Sequence, residues 1–443
     1  MRKRYFFIPL ISIIVISGVL VWACKHPFGE GLSIINIGKK VDYSIEEGGP
    51  GYKGEIGKEV TNSIIIPNKV EVFPLKSGNN YYRIPTLMQL TNGDLLAFAD
   101  KRKGTIGDLP NSIEVVMKRS TNNGKTWSRE TRITPESKSK TDGHGDAGFI
   151  LDRKRGNIVG VVASDNGFLA STHEKPIRIK IIKSVDNGKT WSEPVDITPQ
   201  IYGAQCKDPT RKNWQAAFAA SGNGVQLRNG RMLFVLAVRE AKENFAKNYV
   251  MYSDDGGDTW KVSKNAPQSS LGGDEAKIVE LNDGSLIMAI RPKDIYQRRL
   301  AKSTDNGETW GEAVLRRDLP SSASNGDIIY YTSTLNGFDK DRIITMFDSV
   351  PYTKATPPGN PKLYWSYDEG KTWNGRLMHN GNAGYSSLAI LKDGSIGILA
   401  EIGGSWNGPI YFMRVNMRYL TSNADKGPFY TSQTATNNNS KVK

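Results

Sequence analysis

The apolar residues of the chain occur in short runs separated by turn residues. In four places an Asn-Gly or Asp-Gly pair lies between two such runs, at 90–96, 227–233, 281–287 and 391–397. This arrangement is the strongest short-range signal for a β-hairpin. No sustained stretch with the helical period of about 3.6 residues competes with it. The pattern therefore predicts an all-β fold.

A second pattern is an octapeptide of the form Ser-x-Asp-x-Gly-x-Thr-Trp, with Asn122 in place of Asp in the first copy. Its five copies are Ser120–Trp127, Ser184–Trp191, Ser253–Trp260, Ser303–Trp310 and Ser366–Trp373. In such a turn the Asp hydrogen-bonds to the backbone, the Gly takes a positive φ and the Trp packs under neighbouring strands. Each copy lacks the ligands that calcium needs, so we predict a structural role and no metal.

The spacing of the octapeptides predicts the architecture. Their starts lie 64, 69, 50 and 63 residues apart, about one four-stranded sheet each. We therefore predict an all-β, six-bladed β-propeller over residues 70–422. Residues 25–69 are interpreted as a tether or N-terminal extension, and residues 423–443 as a disordered tail.

The first 24 residues differ from the rest. Three basic residues precede an uncharged run from Phe6 to Trp22, and Ala23-Cys24 follows. This layout is typical of an export signal, and a cysteine after a small residue resembles a lipoprotein signal, in which Cys24 carries the lipid. An uncleaved anchor and ordinary cleavage are the alternatives. All three place the protein outside the cytoplasm, and the first predicts a lipid anchor in the outer membrane, periplasm or cell surface.

Composition narrows the class of protein. The chain is 38% hydrophobic and 23% charged, which is typical of a globular protein. Two cysteines and four histidines form neither a disulfide framework nor a zinc pattern. The net charge is +14, but no basic helix or aromatic stripe accompanies it, so attraction of an anionic substrate is favoured over nucleic acid binding. Plain solubility is the simpler alternative.

Three further motifs point to a family. Tyr82–Leu87 reads Tyr-Arg-Ile-Pro-Thr-Leu, Ala97–Arg102 reads Ala-Phe-Ala-Asp-Lys-Arg, and Ala383–Leu388 reads Ala-Gly-Tyr-Ser-Ser-Leu. Together with the octapeptides, over about residues 70–420, they resemble the bacterial sialidases (neuraminidases). The resemblance implies removal of terminal sialic acids from glycoconjugates, with no cofactor.

Sialic acid carries a carboxylate on its anomeric carbon, and a guanidinium is the best partner for a carboxylate. The resemblance makes Arg83 and Arg291 the first and second clamp arginines, and Glu401 the acid that holds Arg83. Arg102 matches a further arginine, expected near the sugar. The simpler alternatives are surface arginines, structural ion pairs and an ordinary strand-end glutamate.

The same carboxylate would repel an acidic nucleophile, whereas a neutral phenol would approach it freely. Since the reference pKa of a phenol is about 10, the phenol needs a base. The resemblance implies Tyr385 as nucleophile and Glu275 as its base, as in the tyrosine-dependent sialidases. Asp274 is adjacent to Glu275 but is expected to point the other way along the strand.

The remaining catalytic role is that of a proton donor to the leaving group. The resemblance gives it to Asp108, which lies in a glycine-containing loop suited to closing over a sugar. Asp94 and Asp100 are weaker rivals, and a solvated loop aspartate is the simpler alternative.

One position departs from the family. A third clamp arginine is expected shortly before the last octapeptide, but residues 350–365 contain none. Lys362 and Lys354 are the candidate replacements, and Arg342 is a poorer one. A lysine offers one charge without the bidentate fork, so carboxylate binding would be weaker.

The sequence therefore predicts a monomeric, exported exo-sialidase that acts on sialylated glycoconjugates. A trans-sialidase is a close alternative. A catalytically inactive propeller that binds sialylated glycans is the alternative from another class, and the missing arginine favours it.

Overall fold

The computed structural model describes residues 14–16, 19–22, 33–34, 56–57, 60–153, 155–219, 221–241, 245–268, 272–291, 297–322, 324–350, 359–404 and 407–431. The chain divides into two units, residues 1–42 and 43–443. In the first unit, three short antiparallel strands are described: β1 (Ile14–Ile16), β2 (Val19–Trp22) and β3 (Ser33–Ile34). The predicted lipidation residue Cys24 lies outside the described residues. None of the described helices has the length and apolar character that a membrane span requires.

The second unit is a six-bladed β-propeller, which confirms the predicted fold. Its described strands form six antiparallel sheets arranged around a centre. The first blade comprises β5 (Lys76–Ser77), β6 (Asn80–Gln89), β7 (Leu95–Lys103), β8 (Ile113–Ser120) and β9 (Thr131–Arg132). The second comprises β10 (His144–Leu151), β11 (Ile158–Ser164), β12 (Arg178–Ser184) and β13 (Val195–Asp196). The third comprises β14 (Ala216–Ala219), β15 (Val225–Gln226), β16 (Met232–Arg239), β17 (Lys247–Ser253) and β18 (Lys261–Val262).

The remaining three blades follow the same plan. The fourth comprises β19 (Ala276–Glu280), β20 (Leu286–Ile290), β21 (Gln297–Ser303) and β22 (Val314–Pro320). The fifth comprises β23 (Asp327–Thr332), β24 (Arg342–Val350), β25 (Gly359–Ser366) and β26 (Asn374–Leu377). The sixth comprises β27 (Ala383–Ile390), β28 (Ile396–Ile402), β29 (Ile410–Val415) and β4 (Val70–Phe73). Short helices lie at Thr198–Ile201, Arg211–Asn213, Thr334–Asn336 and Met417–Leu420.

The octapeptides occupy equivalent places in five blades. Each begins at the last residue of the third long strand and leads toward the outer strand of its blade. In the copy that starts at Ser253, both carboxylate oxygens of Asp255 accept hydrogen bonds from Thr259, and Gly257 has a φ of 85°. The sixth blade takes its outer strand from β4, which comes from the other end of the chain. This closure explains why five octapeptides serve six blades.

The packed unit extends beyond residues 70–422 on both sides. Ile56 is buried, and its carbonyl accepts a hydrogen bond from the hydroxyl of Tyr430. Asp425 forms an ion pair with the buried Arg342, at 2.8 Å. These contacts place parts of the predicted tether and of the predicted tail on the propeller.

The innermost strands of the blades are apolar because both of their faces are covered. They enclose a channel of about 450 Å³, lined at one end of the propeller by residues such as Gln89, Arg153 and Lys392. The three family motifs lie at the other end, where β6 and β27 begin and β7 ends.

Candidate active site

Three β-bulges shape this end of the innermost strands. The pairing register shifts between Arg83 and Thr86 in β6, between Gly145 and Gly148 in β10, and between Ala383 and Ser386 in β27. A bulge adds a residue to one strand and re-aims the side chains next to it, which is why bulges are common beside active sites. Here they present Arg83, Asp146 and Tyr385 at one end of the propeller.

Arg83 is held by Glu401, as the resemblance implies. The Nε and Nη2 atoms of Arg83 donate to the two carboxylate oxygens of Glu401 at 2.8 and 3.2 Å. Glu401 is fully buried, and it also accepts the backbone N–H groups of Ile84 and Tyr385 at 3.0 and 3.1 Å. Burial alone would lower the pKa of Arg83, but the charge and hydrogen bonds of Glu401 raise it above its ordinary value. The guanidinium is therefore charged and fixed in direction.

Close packing around Glu401 requires glycine at position 384. A Cβ atom there would lie 2.3 Å from a carboxylate oxygen of Glu401. Ile84 meets the same carboxylate with a φ of 59°, a backbone conformation that costs energy for a β-branched residue. The Arg-Ile-Pro and Gly-Tyr-Ser motifs thus meet at one buried carboxylate.

Tyr385 and Glu275 form a short hydrogen bond, although they are 110 residues apart in the chain. The hydroxyl of Tyr385 donates to Oε1 of Glu275 at 2.5 Å, and Ser221 donates to the same oxygen at 3.2 Å. Burial raises the pKa of Tyr385 well above its ordinary value, and Glu275 adds to this rise while Arg291 opposes it. The phenol is therefore neutral at rest, with a carboxylate in place to accept its proton.

Arg291 lies beside this pair. Its Nη1 atom donates to Glu275 and, at 2.9 Å, to the hydroxyl oxygen of Tyr385. The guanidinium carbons of Arg83 and Arg291 lie 5.4 and 5.9 Å from the centre of the Tyr385 ring. Burial would lower the pKa of Arg291, but Asp274 and Glu275 raise it well above its ordinary value. Two guanidiniums are thus placed on the same tyrosine, where a substrate carboxylate would complement them.

Asp108 lies in the loop between β7 and β8 with its side chain 75% exposed. Its carboxylate accepts from Nη1 of Arg102 at 2.6 Å, and Nη2 of Arg102 donates to Asp100 at 3.0 Å. Arg102 is only 1% exposed. The buried guanidinium of Arg102 therefore holds the carboxylate of Asp108 in position. Direct contact between Arg102 and a sugar stays a prediction.

Asp100, a weaker rival for the proton donor, and Asp146, which the sequence analysis missed, both interact with the charge of Asp108. The backbone N–H of Asp146 donates to Asp100 at 3.0 Å. Burial raises the pKa of Asp100 to about 6, and burial followed by the charges of Asp100 and Asp108 raises that of Asp146 well above its ordinary value. The carboxyl group of Asp146 therefore keeps its proton to a higher pH than an ordinary aspartate does. The glycines that flank it in an apolar strand were the available sequence signal.

The place of a third clamp arginine has no described replacement. Lys362 lies in β25, paired with Phe347 and Leu377, and among the described residues it forms no ion pair with a site carboxylate. Arg342 is committed to Asp339 and Asp425. Lys354 lies outside the described residues.

No group of three metal-ligating side chains occurs within the ranges that the structure describes. Arg83, Glu275, Arg291, Tyr385 and Glu401 do converge, joined by direct hydrogen bonds. Asp108 belongs to an adjoining cluster with Asp100, Arg102 and Asp146. The two clusters interact through their charges: Asp108 raises the pKa of Arg83, and Glu275 raises that of Asp146. The arrangement combines cations for an anion, a phenol beside a base and an exposed carboxylate.

The chain is similar to known sialidases. A BNR repeat-like domain matches residues 84–343. A sialidase from Micromonospora viridifaciens is 31% identical over 347 residues, which are 74% of this chain and 51% of that protein. A sialidase from Bacteroides fragilis (strain YCH46) is 30% identical over 343 residues, or 72% and 60% of the two chains. The solved structure of a Hadza microbial sialidase, Hz136, superposes with a TM-score of 0.66 at 25% identity and covers 76% of this chain and 66% of that one. The chain thus spans between half and two thirds of these proteins.

Proposed function

The chain belongs to the sialidase family of BNR repeat-like proteins, and on that premise we propose that it is an exo-alpha-sialidase that hydrolyses terminal sialic acids of glycoconjugates with retention of configuration. The observation that carries this proposal is the 2.5 Å hydrogen bond between Tyr385 and Glu275, with the guanidiniums of Arg83 and Arg291 beside the same ring. A protein that only binds sialic acid needs cations, but it does not need a phenol paired with a base.

In the first step, Arg83 and Arg291 bind the substrate carboxylate. Glu275 accepts the phenolic proton while the oxygen of Tyr385 bonds to the anomeric carbon. The glycosidic bond breaks at the same carbon, and Asp108 donates a proton to the leaving oxygen. The products of this step are the free aglycone and a sialyl group covalently bound to Tyr385.

In the second step, Asp108 takes a proton from water, and the water oxygen bonds to the anomeric carbon. The bond to Tyr385 breaks, and Glu275 returns the proton to the phenolate. Two successive inversions leave the configuration unchanged. An acceptor sugar in place of water would give the trans-sialidase alternative.

Release of the fluorophore from a fluorogenic sialoside tests the proposal. Tyr385→Phe and Asp108→Ala are each expected to lower kcat by about a hundredfold or more, since each removes a group that acts in the transition state. Tyr252→Phe is the matched control. Tyr252 is buried, its ring is covered by Arg231, and it takes no part in the site. Binding of sialic acid without release by the wild-type protein would favour the inactive glycan-binding alternative.

We also propose that the protein is exported and anchored through a lipid on Cys24. The support is the sequence alone: three basic residues, an uncharged run and a small residue before the cysteine. Mass spectrometry of the N-terminal peptide from native cells tests this, and an unmodified Cys24 in an intact N-terminus would contradict it.

A further inference from the structure

Two consecutive buried arginines lie next to the site but outside the roles assigned above. Arg298 and Arg299 are in β21, and each is 2% exposed. Because successive side chains of a strand point to opposite faces, they reach different neighbours. Arg299 donates to the carbonyl of Gly272, three residues before Glu275. Arg298 reaches toward the innermost strand of the fifth blade.

Arg298 is bound through backbone oxygens. Its Nη1 and Nη2 atoms donate to the carbonyls of Asn325 and Ser324 at 2.8 and 2.7 Å, and its guanidinium carbon lies 4.8 Å from the centre of the Phe347 ring. A Cβ atom at Gly326 would lie 2.5 Å from Nη2 of Arg298. Within the described part of the chain no carboxylate forms an ion pair with Arg298. Burying a cation costs free energy unless its N–H groups are hydrogen-bonded. Arg298 therefore needs the carbonyls of Ser324 and Asn325, and this need fixes the position of that backbone segment.

The segment held by Arg298 leads directly to the nucleophile. The side-chain oxygen of Asn325 accepts the backbone N–H of Ser386 at 3.0 Å, as well as that of Gly326 at 2.6 Å. Ser386 follows Tyr385, whose own N–H is bound by Glu401. The peptide groups on both sides of Tyr385 are therefore anchored, one by Glu401 and the other by Asn325.

We propose that Arg298 is a positioning residue for Tyr385, acting through the backbone of Asn325 and the hydrogen bond from Ser386 to Asn325. This inference rests on the proposed function. Burial, and then repulsion by Arg291, lowers the pKa of Arg298 to about 9, so Arg298 is still charged at neutral pH.

Arg298→Met and Arg298→Lys test this against a matched control, Arg376→Met. Arg376 also donates to two consecutive carbonyls, those of Tyr419 and Leu420, and lies 4.1 Å from the centre of the Tyr419 ring. In Arg298→Met we expect kcat for a fluorogenic sialoside to fall by about ten- to a hundredfold. The Kd for an unsaturated sialic acid analogue should stay within about threefold, because Arg83 and Arg291 are unchanged. Arg298→Lys should restore part of kcat.

A second measurement does not depend on activity. Hydrogen exchange of a peptide that contains Ser386 should become faster in Arg298→Met and should be unchanged in Arg376→Met. If Arg298→Met does not fold, Asn325→Ala removes the acceptor of the Ser386 N–H and should give the same loss of kcat and the same faster exchange.

An unchanged kcat, parallel losses of kcat and analogue affinity, or unchanged exchange would each overturn the inference. A wild-type protein that releases no sialic acid would contradict the proposed function. The hydrogen exchange of the Ser386 amide, in contrast, tests the positioning role of Arg298 without any reference to activity.

Discussion

Single buried carboxyl groups respond to pH in opposite ways in this protein. Asp348 is buried, and burial raises its pKa to about 7, although hydrogen bonds from Ser324 and Ser322 and the charge of Arg298 oppose this rise. Asp425 is also buried and burial by itself would raise its pKa, but hydrogen bonds and the charge of Arg342 lower it to about 2. The ordinary value of both is 3.8. Because the folded-state pKa is raised for Asp348 and lowered for Asp425, these two residues change the stability of the fold in opposite directions as pH rises.

Asp348→Asn should therefore remove a pH dependence of the wild-type protein. Because the folded pKa is raised, the unfolded chain loses its proton first, and the wild type loses stability as pH rises from about 4 to about 7. The loss is on the order of 4 kcal/mol. Urea unfolding from pH 4 to pH 8 should show a shallower decline for the variant. Parallel curves for the two proteins would contradict the raised pKa.

Asp425→Asn is the control of opposite sign. Its ion pair stabilises the folded state above about pH 4, and this contribution of about 2 kcal/mol is lost as pH falls toward 2. The variant should be less stable than the wild type at neutral pH and equal to it near pH 2. A constant difference between the two curves would mean that Asp425 acts by packing alone.

At the scale of elements, the turns and the bulges have different origins. An octapeptide turn is stabilised by its own residues: Asp255 accepts hydrogen bonds from Ser253, Asp258 and Thr259. The bulges in β6, β10 and β27 instead depend on contacts between strands. Glu401, for example, accepts the N–H of Ile84 from another blade. Turns are thus readable from a short sequence, whereas bulges are not.

Asp255→Ala should lower the free energy of unfolding by about 1 to 3 kcal/mol, because it leaves the turn's N–H and hydroxyl donors without their acceptor. Asp258→Ala in the same turn is the control. Asp258 has a 73% exposed side chain and forms a surface ion pair with Lys183, so its loss should cost less than about 1 kcal/mol. Equal midpoints of urea unfolding for the two variants would show that the turn is not stabilised by Asp255.

At the scale of the whole molecule, the propeller is closed by pairing the two ends of its chain. Strand β4 pairs with β29, and Val72 and Phe73 are buried in a cluster that includes Leu399 and Phe412 of the sixth blade and Leu95 of the first. The site straddles this closure, because Arg83 belongs to the first blade and Glu401 to the sixth. A substitution that weakens the closure is therefore expected to disturb the Arg83–Glu401 ion pair as well as to lower the stability of the fold.

Phe73→Ala should lower the free energy of unfolding by about 3 to 5 kcal/mol, since it leaves a cavity at the closure. Ile66→Ala, at a 71% exposed residue a few positions earlier, should change it by less than about 0.5 kcal/mol. Denaturant unfolding of the two variants measures the difference. A small effect of Phe73→Ala would mean that closure depends on the backbone pairing alone.

Most of the architecture was predictable because its signals are local. Hairpin turns depend on a few adjacent residues, so the octapeptides and the Asn-Gly pairs revealed the sheets and their number. The motifs that resemble those of a known family also pointed to Arg83, Arg291 and Tyr385, which the structure brings together; their catalytic and binding roles stay predictions. The limits of the packed unit were not predictable in this way, because Ile56 and Asp425 lie in segments that contain no repeat.

The sequence by itself determined the β-strands, the repeated turns and the types of residue that can bind a carboxylate and attack beside it, since each is written in a short segment. The resemblance implied that Arg83 pairs with Glu401 and Tyr385 with Glu275, but it is the tertiary structure that brings these residues together, across 318 and 110 residues of chain. It alone also revealed Asp146 beside Asp108 and Arg298 behind Tyr385. The physical reason is that these contacts exist only when six separate sheets close into one ring, and no local pattern of residues records which side chains the closed ring brings together.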